Sequence, residues 1–138
     1  IGKLIHAIYL NDEFAKVLTE VHEQGIPLAE SERKVLGYDH TYTGSELARR
    51  WNLSKNTIDM IAHHHLSDAS VELTKEIVAV HLGNIFAVAL ELGSGGEKRV
   101  QVARREVWEM LGIELNRLES ILARIEKLFA ESIAILET

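Results

Sequence analysis

Apolar residues recur at three- and four-residue spacing along nearly the whole chain, and the strict alternation of a half-buried strand is absent. The pattern predicts an all-α protein, a multi-helix bundle. Residues 1 to 9 read as the tail of a helix. Asp12 is placed to cap a second helix running through Glu23, with Phe14, Val17, Leu18 and Val21 facing inward. The single proline, Pro27, follows Gly25 and marks a loop. Ser31 opens a short helix that ends at Gly37, another helix runs from about Tyr42 to Trp51, and Ser54 caps Lys55 to His65.

Val71 to Leu92 is long and almost wholly apolar, which places it at the centre of the bundle. Gly93-Ser94-Gly95-Gly96 is a loop by composition. A helix from about Val100 to Leu111 follows, Gly112 breaks it, and a last helix spans Glu114 to Glu137. In that last helix Leu115, Leu118, Leu122, Ile125, Phe129 and Ile133 form one stripe, widened by Ile121, Leu128 and Ile135. So broad a face packs on the core or meets a partner helix. Trp51 and Trp108 are candidates for the core or for a contact surface.

With 138 residues the chain fits one domain with a real core. The chain begins with Ile1-Gly2-Lys3 rather than methionine, which points to a single domain, residues 1 to 138, lacking its N-terminal part. No apolar run approaches the ~18 residues of a membrane span. The absence of cysteine excludes disulfides, thiolate zinc sites and cysteine nucleophiles, and fits a cytoplasmic location.

Thr43 to His65 invites two readings. Two helices around Trp51-Asn52-Leu53 have the outline of a helix-turn-helix. The net charge of −6 argues against nucleic acid, because phosphate binding needs a surplus of Lys and Arg. The second helix would offer Lys55, Asn56 and Asp59 to the groove, and an aspartate facing phosphates is unfavourable. The other reading is a metal site. His63, His64 and His65 are adjacent, and helical neighbours point about 100° apart, so all three cannot serve one ion. Two can if the helix ends there, with Asp39, His40 and His81 as further candidates. Histidines also collect at helix C-termini for the dipole alone, and His81 reads as a hydrogen-bonded core residue.

Several stretches, taken in order, resemble an HDOD domain, the HD-related output domain of bacterial signalling proteins. They are Gly37-Tyr38-Asp39-His40, Gly44, Glu46 through Leu53, Ile61-Ala62-His63-His64-His65, and Ile77-Val78-Ala79-Val80-His81-Leu82. Ile1-Gly2-Lys3-Leu4-Ile5 is similar to the segment directly after the His-Asp pair of that superfamily, and Glu32 fits an acidic position ahead of Gly37. The resemblance extends over essentially the whole chain. It implies a bundle of the HD-domain, phosphodiesterase-like type, related to metal phosphohydrolases. In those enzymes a His-Asp pair, a later His, a His-His pair and a final Asp hold the metals. The later His falls on His40 and the pair on His64-His65, with Lys3 as the lysine after the His-Asp and Asp39 as a supporting residue. The final Asp falls on Asn84.

The departures set the functional expectation. No His-Asp pair is present, and an amide at position 84 lacks the anionic oxygen that helps balance two divalent ions. No Gly-Tyr-Pro loop follows His65. The expectation is a non-catalytic signalling module acting through contacts with other signalling proteins or with a second copy of itself, as a homo-oligomer. It carries no catalytic or cofactor-binding residue and needs no cofactor, keeping at most a vestigial divalent metal at His40, His64, His65 and Asn84. One alternative is a metal-dependent phosphohydrolase, complete only with upstream His-Asp residues. A second is a nucleic-acid-binding helix-turn-helix.

Overall fold

The structure is a computed structural model that describes residues 1–97 and 99–136. Among the described residues there are helices and no strands. The helices are α1 Gly2–Tyr9, α2 Asn11–Gln24, α3 Leu28–Leu36, α4 His40–Arg50, α5 Lys55–His63, α6 Lys75–Ala89, α7 Arg105–Leu111 and α8 Leu118–Leu136, with a 3-10 turn at Leu115–Arg117 before α8. The all-α expectation is met. Glu137, the expected end of the last helix, lies outside the described residues.

Several boundaries differ from expectation for identifiable reasons. α2 starts at Asn11 without a side-chain cap, so Asp12 sits inside its first turn, where a negative charge suits the helix dipole. α3 starts directly after Pro27, whose fixed φ suits the entry to a helix. Ser31 is therefore interior and buried, and its hydroxyl donates to Val17 O at 3.2 Å and Glu20 Oε2 at 2.5 Å, tying α3 to α2. Asp39 caps α4 two residues earlier than the apolar pattern suggested. α6 begins at Lys75 rather than Val71, capped by Thr74, whose hydroxyl accepts from Ile77 N at 3.3 Å. Val100 to Arg104 stays outside any helix.

Two apolar clusters form. One joins Phe14, Val17 and Val21 of α2 to Leu28 of α3. The other joins Val78, Leu82, Ile85 and Phe86 of α6 to Val107 of α7, with Trp108, Leu118, Ile121, Leu122 and Ile125 packed against it. α6 buries six residues, as its apolar run predicted. α1 packs on α4, α4 on α5, and α5 on α6, which carries the fold from the first cluster to the second.

Backbone proximity makes the α1–α4 contact possible. A Cβ on Gly2 would stand 2.0 Å from His40 O, and one on Gly44 would stand 3.0 Å from Ile61 Cγ2. Only glycine at position 2 lets α1 lie against the start of α4, so the first turn of the chain is held beside His40.

One apolar expectation is revised and two open ones are resolved. Leu18, read as inward, is 39 % exposed. Trp51 is 57 % exposed at the α4–α5 turn, whereas Trp108 packs on Phe86 at 6.1 Å between ring centroids. The stripe of α8 divides: its N-terminal part packs on the core, while Leu128, Phe129, Ile133 and Ile135 are exposed, as is Leu115 before it.

Candidate functional site: a histidine cluster braced by Glu32

Three helices and one helix exit converge on a buried polar core. α1 supplies His6, α3 supplies Glu32, α4 opens with His40, and the chain leaving α5 supplies His64 and His65. α5 ends at His63, with His64 as its C-terminal cap, and Leu66 has a positive φ of 47°. Leaving the helix there frees two adjacent histidines from the 100° rule, and both turn toward His40. One ring nitrogen from each of His40, His64 and His65 lies within 4.8 Å of the other two. His63 is not among them.

Hydrogen bonds on the far side of each ring decide which nitrogen faces the cluster. Glu32 is fully buried, and its Oε2 accepts from His40 Nδ1 at 2.5 Å and His40 N at 3.0 Å. Its Oε1 is 3.0 Å from His6 Nδ1, and His6 Nε2 is 2.7 Å from Thr43 Oγ1. A carboxylate accepts only, so His40 carries a proton on Nδ1. That leaves Nε2, which lies 2.9 Å from His65 Nε2. His64 Nδ1 donates to Ile61 O at 2.8 Å, so its Nε2 is likewise left over. His65 Nδ1 and Gln101 Oε1 are both buried without a hydrogen-bond partner among the described residues, and both residues line one cavity.

Electrostatics reflect this packing. Burial pushes His64 down to about 4, with the neighbouring His40 and Lys3 adding to the shift. Burial pushes His65 down to about 3, helped by His64 and His40. Both rings are neutral at pH 7. Burial opposes the charge on Glu32, yet the bonds from His40 and His6 outweigh it and hold the carboxyl below its ordinary value.

The remaining sequence candidates take other roles. Asp39 is not turned into the cluster. Its Oδ1 accepts from Thr41 N at 3.0 Å, Thr41 Oγ1 at 2.6 Å and Tyr42 N at 3.3 Å, and its Oδ2 accepts from Arg33. It supports the site by fixing the start of α4, hence the position of His40. Lys3 donates from Nζ to Gly95 O at 3.0 Å, and burial lowers its affinity for a proton. Lys3, Asn84, His40 and His64 share a cavity of about 560 Å³, walled by Leu47, Ile61 and others and rimmed by Trp51. His81 is a core residue, as expected, with Nδ1 donating to His64 O at 2.8 Å. His6, which no sequence signal singled out, completes the brace.

The resemblance to phosphohydrolases implies a two-ion centre, and the donor set does not fit one. Among the described residues the cluster consists of three imidazoles with no carboxylate. Glu32 stands behind His40, Asp39 is saturated by donors, and position 84 is an amide. Two divalent cations so close together require bridging anionic oxygens, which this set does not supply.

The α4–α5 pair also lacks an open basic face. Arg49 pairs with Glu46 and Lys55 pairs with Asp59, so two of the cations that would meet phosphates are already neutralised. No helix among the described residues is long and apolar enough to cross a membrane.

Comparison with known proteins agrees with the architecture. The HDOD domain family model matches residues 1–67, which contain His6, Glu32, His40, His64 and His65. The match ends before Ile77–Leu82, so the likeness of that segment rests on the fold. The chain is similar in fold to the crystal structure of an HDOD domain protein of unknown function from Geobacter sulfurreducens, with a TM-score of 0.74 and 24 % identity. That likeness covers 94 % of this chain and 49 % of the other, so the chain spans about half the length of the solved protein it matches. No curated protein matches the chain.

Proposed function

We propose that this chain, whose residues 1–67 match the HDOD domain, is a non-catalytic output module of bacterial signal transduction that works in the cytoplasm through protein contacts. The strongest support is the fate of the two acids next to the cluster, of which Glu32 is taken up by His40 and His6. Asp39 is consumed as the cap of α4 and the partner of Arg33, leaving His40, His64, Lys3 and the Asn84 amide among the polar lining of the cavity. Such a site has no anionic pair to hold two ions, and its one lysine, Lys3, is bonded to Gly95 O. The scaffold persists because Glu32, His6 and His40 bind three helices together.

Exposed apolar contact surfaces are available, one at the rim of the cavity and one on α8. Trp51 and Leu53 are exposed at the α4–α5 turn, and Leu128, Phe129, Ile133 and Ile135 are exposed on α8. Apolar side chains grouped in this way suit partner proteins or a second copy better than nucleic acid.

The test is hydrolysis of bis-p-nitrophenyl phosphate and of a cyclic dinucleotide with Mn²⁺, Mg²⁺ or Zn²⁺ added. No turnover above the buffer rate is expected. Turnover that disappears in His64→Ala would overturn the proposal in favour of a phosphohydrolase.

A further inference from the structure

Val100 to Arg104 joins the loop after α6 to α7 without helix, turn or bend, and Arg104 itself is extended, with φ −66° and ψ 153°. Side chains alternate along this strap. Gln101 and Ala103 turn inward: Gln101 Oε1 is buried, and Ala103 packs on the second apolar cluster. Val100 and Val102 are 46 % and 93 % exposed. Among the described residues no backbone N–H or C=O from Val100 to Ala103 has a hydrogen-bond partner. An extended segment with free backbone groups and outward β-branched side chains is an unpaired strand edge. We infer that the strap is a docking edge on which an acidic segment of a partner protein adds as a β-strand. The inference deepens the reading of a contact module and rests on it.

Charge selects the occupant. Arg99 and Arg104 bracket the valines, and the stretch between them contains no acid. Arg33, Arg49 and Arg105 are ion-paired, whereas Arg99 and Arg104 have no acidic partner among the described residues. Glu97, just before the strap, is turned away, with Oε2 accepting from Leu28 N at 3.3 Å and Oε1 buried. The strap of a second copy is a poor occupant. Pairing two straps antiparallel about their midpoint sets arginine opposite arginine at both ends, and like charges directly opposite destabilise a strand pair. An added strand with Asp or Glu at its ends meets a guanidinium at each, and β-branched residues between them pack against Val100 and Val102.

The edge is also held in place. Glu97 ties one end to the start of α3, α7 continues from the other, and the inward side chains anchor the middle. Only the incoming segment has to be ordered, which lowers the cost of association. Arg99 to Val102 and Arg104 line a cavity of about 460 Å³ with Pro27 and Leu66 as apolar wall, space that a side chain of the incoming strand can fill.

The experiment is fluorescence anisotropy of a labelled peptide, Asp-Glu-Val-Thr-Val-Glu-Asp, titrated with the whole chain. Saturable one-to-one binding is expected. Arg99→Glu combined with Arg104→Glu should abolish it with helix content retained, because both side chains are exposed. Arg117→Glu combined with Arg124→Glu, a charge reversal on the exposed surface elsewhere, should leave it unchanged. The same peptide N-methylated throughout its Val-Thr-Val centre keeps its charges and loses its ladder donors, so it should bind about tenfold more weakly or worse. No saturable binding of the parent peptide, or undiminished binding in the Arg99 and Arg104 variant, would overturn the inference. Equal affinity of the methylated peptide would overturn it too, reducing the strap to a patch that attracts any anion. Histidine-dependent phosphodiester turnover would instead sink the contact-module reading, whereas absent peptide binding without turnover sinks this inference alone.

Discussion

Glu32 Oε2 lies 2.5 Å from His40 Nδ1 with both side chains buried, and the second oxygen of the same carboxylate reaches His6 on another helix. One charge thus ties α3 to α4 and to α1. Removing part of a buried network costs more than the network contributes, because the groups left behind stay dehydrated.

Glu32→Gln keeps the shape and loses the anion. One amide oxygen can still accept, but the NH₂ then faces a second imidazole nitrogen that carries a proton in the parent. The expected loss is about 1.5–3 kcal/mol, the range for hydrogen bonds to charged groups. Glu32→Ala should cost about 3–5 kcal/mol. Urea unfolding followed by circular dichroism measures both, and equal stability of the three proteins would contradict the bracing role.

Asp39 positions His40 from the other side. Its Oδ1 satisfies Thr41 N and Tyr42 N, two donors of the first turn of α4. Asp39→Ala should lose about 0.5–2 kcal/mol. Asp39→Ser should recover most of that loss, because a hydroxyl can cap the turn without the charge. Thermal melts of the pair distinguish capping from the ion pair with Arg33: if Ser fails to rescue, the ion pair dominates.

How much was legible in the sequence depends on how local each cause is. The helices, the central position of α6 and the break at Gly112 come from spacing within one segment, and all are present. The convergence of His40 with His64 and His65 was approachable because α4 and α5 are joined by a short turn. The Glu32–His6 brace was not, since it links residues 26 apart through packing that no local pattern encodes. Ser31 misled because a serine before charged residues resembles a cap. Pro27 had already set the helix start, and the hydroxyl bonds across to α2 instead. Trp51 was open between core and contact surface because an aromatic side chain suits both, and the outward-facing turn decides for the surface.

The glycine at position 2 offers a test of the α1–α4 contact. Gly2→Ala places a methyl 2.0 Å from His40 O, so α1 must shift, at a cost of about 1–3 kcal/mol for overpacking. Gly83, inside α6 with nothing within 4 Å of its Cβ direction, is the control. Gly83→Ala should raise stability by about 0.5–1 kcal/mol through lower backbone entropy in the unfolded chain. The opposite signs of two chemically identical substitutions check the local geometry in a single pair of denaturation curves.

The pH dependence of metal-free protein carries the signature of the buried rings. His64 and His65 titrate at about 4 and about 3 in the folded state against 6.5 ordinarily. Between these values the unfolded chain binds protons that the folded chain refuses, so stability rises with pH there. The stabilisation is complete above about 6.5 and is lost as pH falls toward the folded values. Each fully neutral folded ring contributes a slope of about 1.4 kcal/mol per pH unit once the unfolded ring is protonated. Glu32 and Asp39 are held below their ordinary values of 4.5 and 3.8, so they add to the loss from about pH 5 downward, while Glu97, raised above 4.5 by burial, acts in the opposite sense. From about pH 6 to about pH 4.5 the difference between parent and histidine variants therefore isolates His64 and His65, since the carboxyl groups are common to all of them. His64→Ala should flatten urea midpoints across that window by about one proton, and His64→Ala combined with His65→Ala by about two. A slope unchanged in both would mean that the two rings take up protons freely in the fold, and that the cluster is open to water rather than sealed by the packing of α4 on α5.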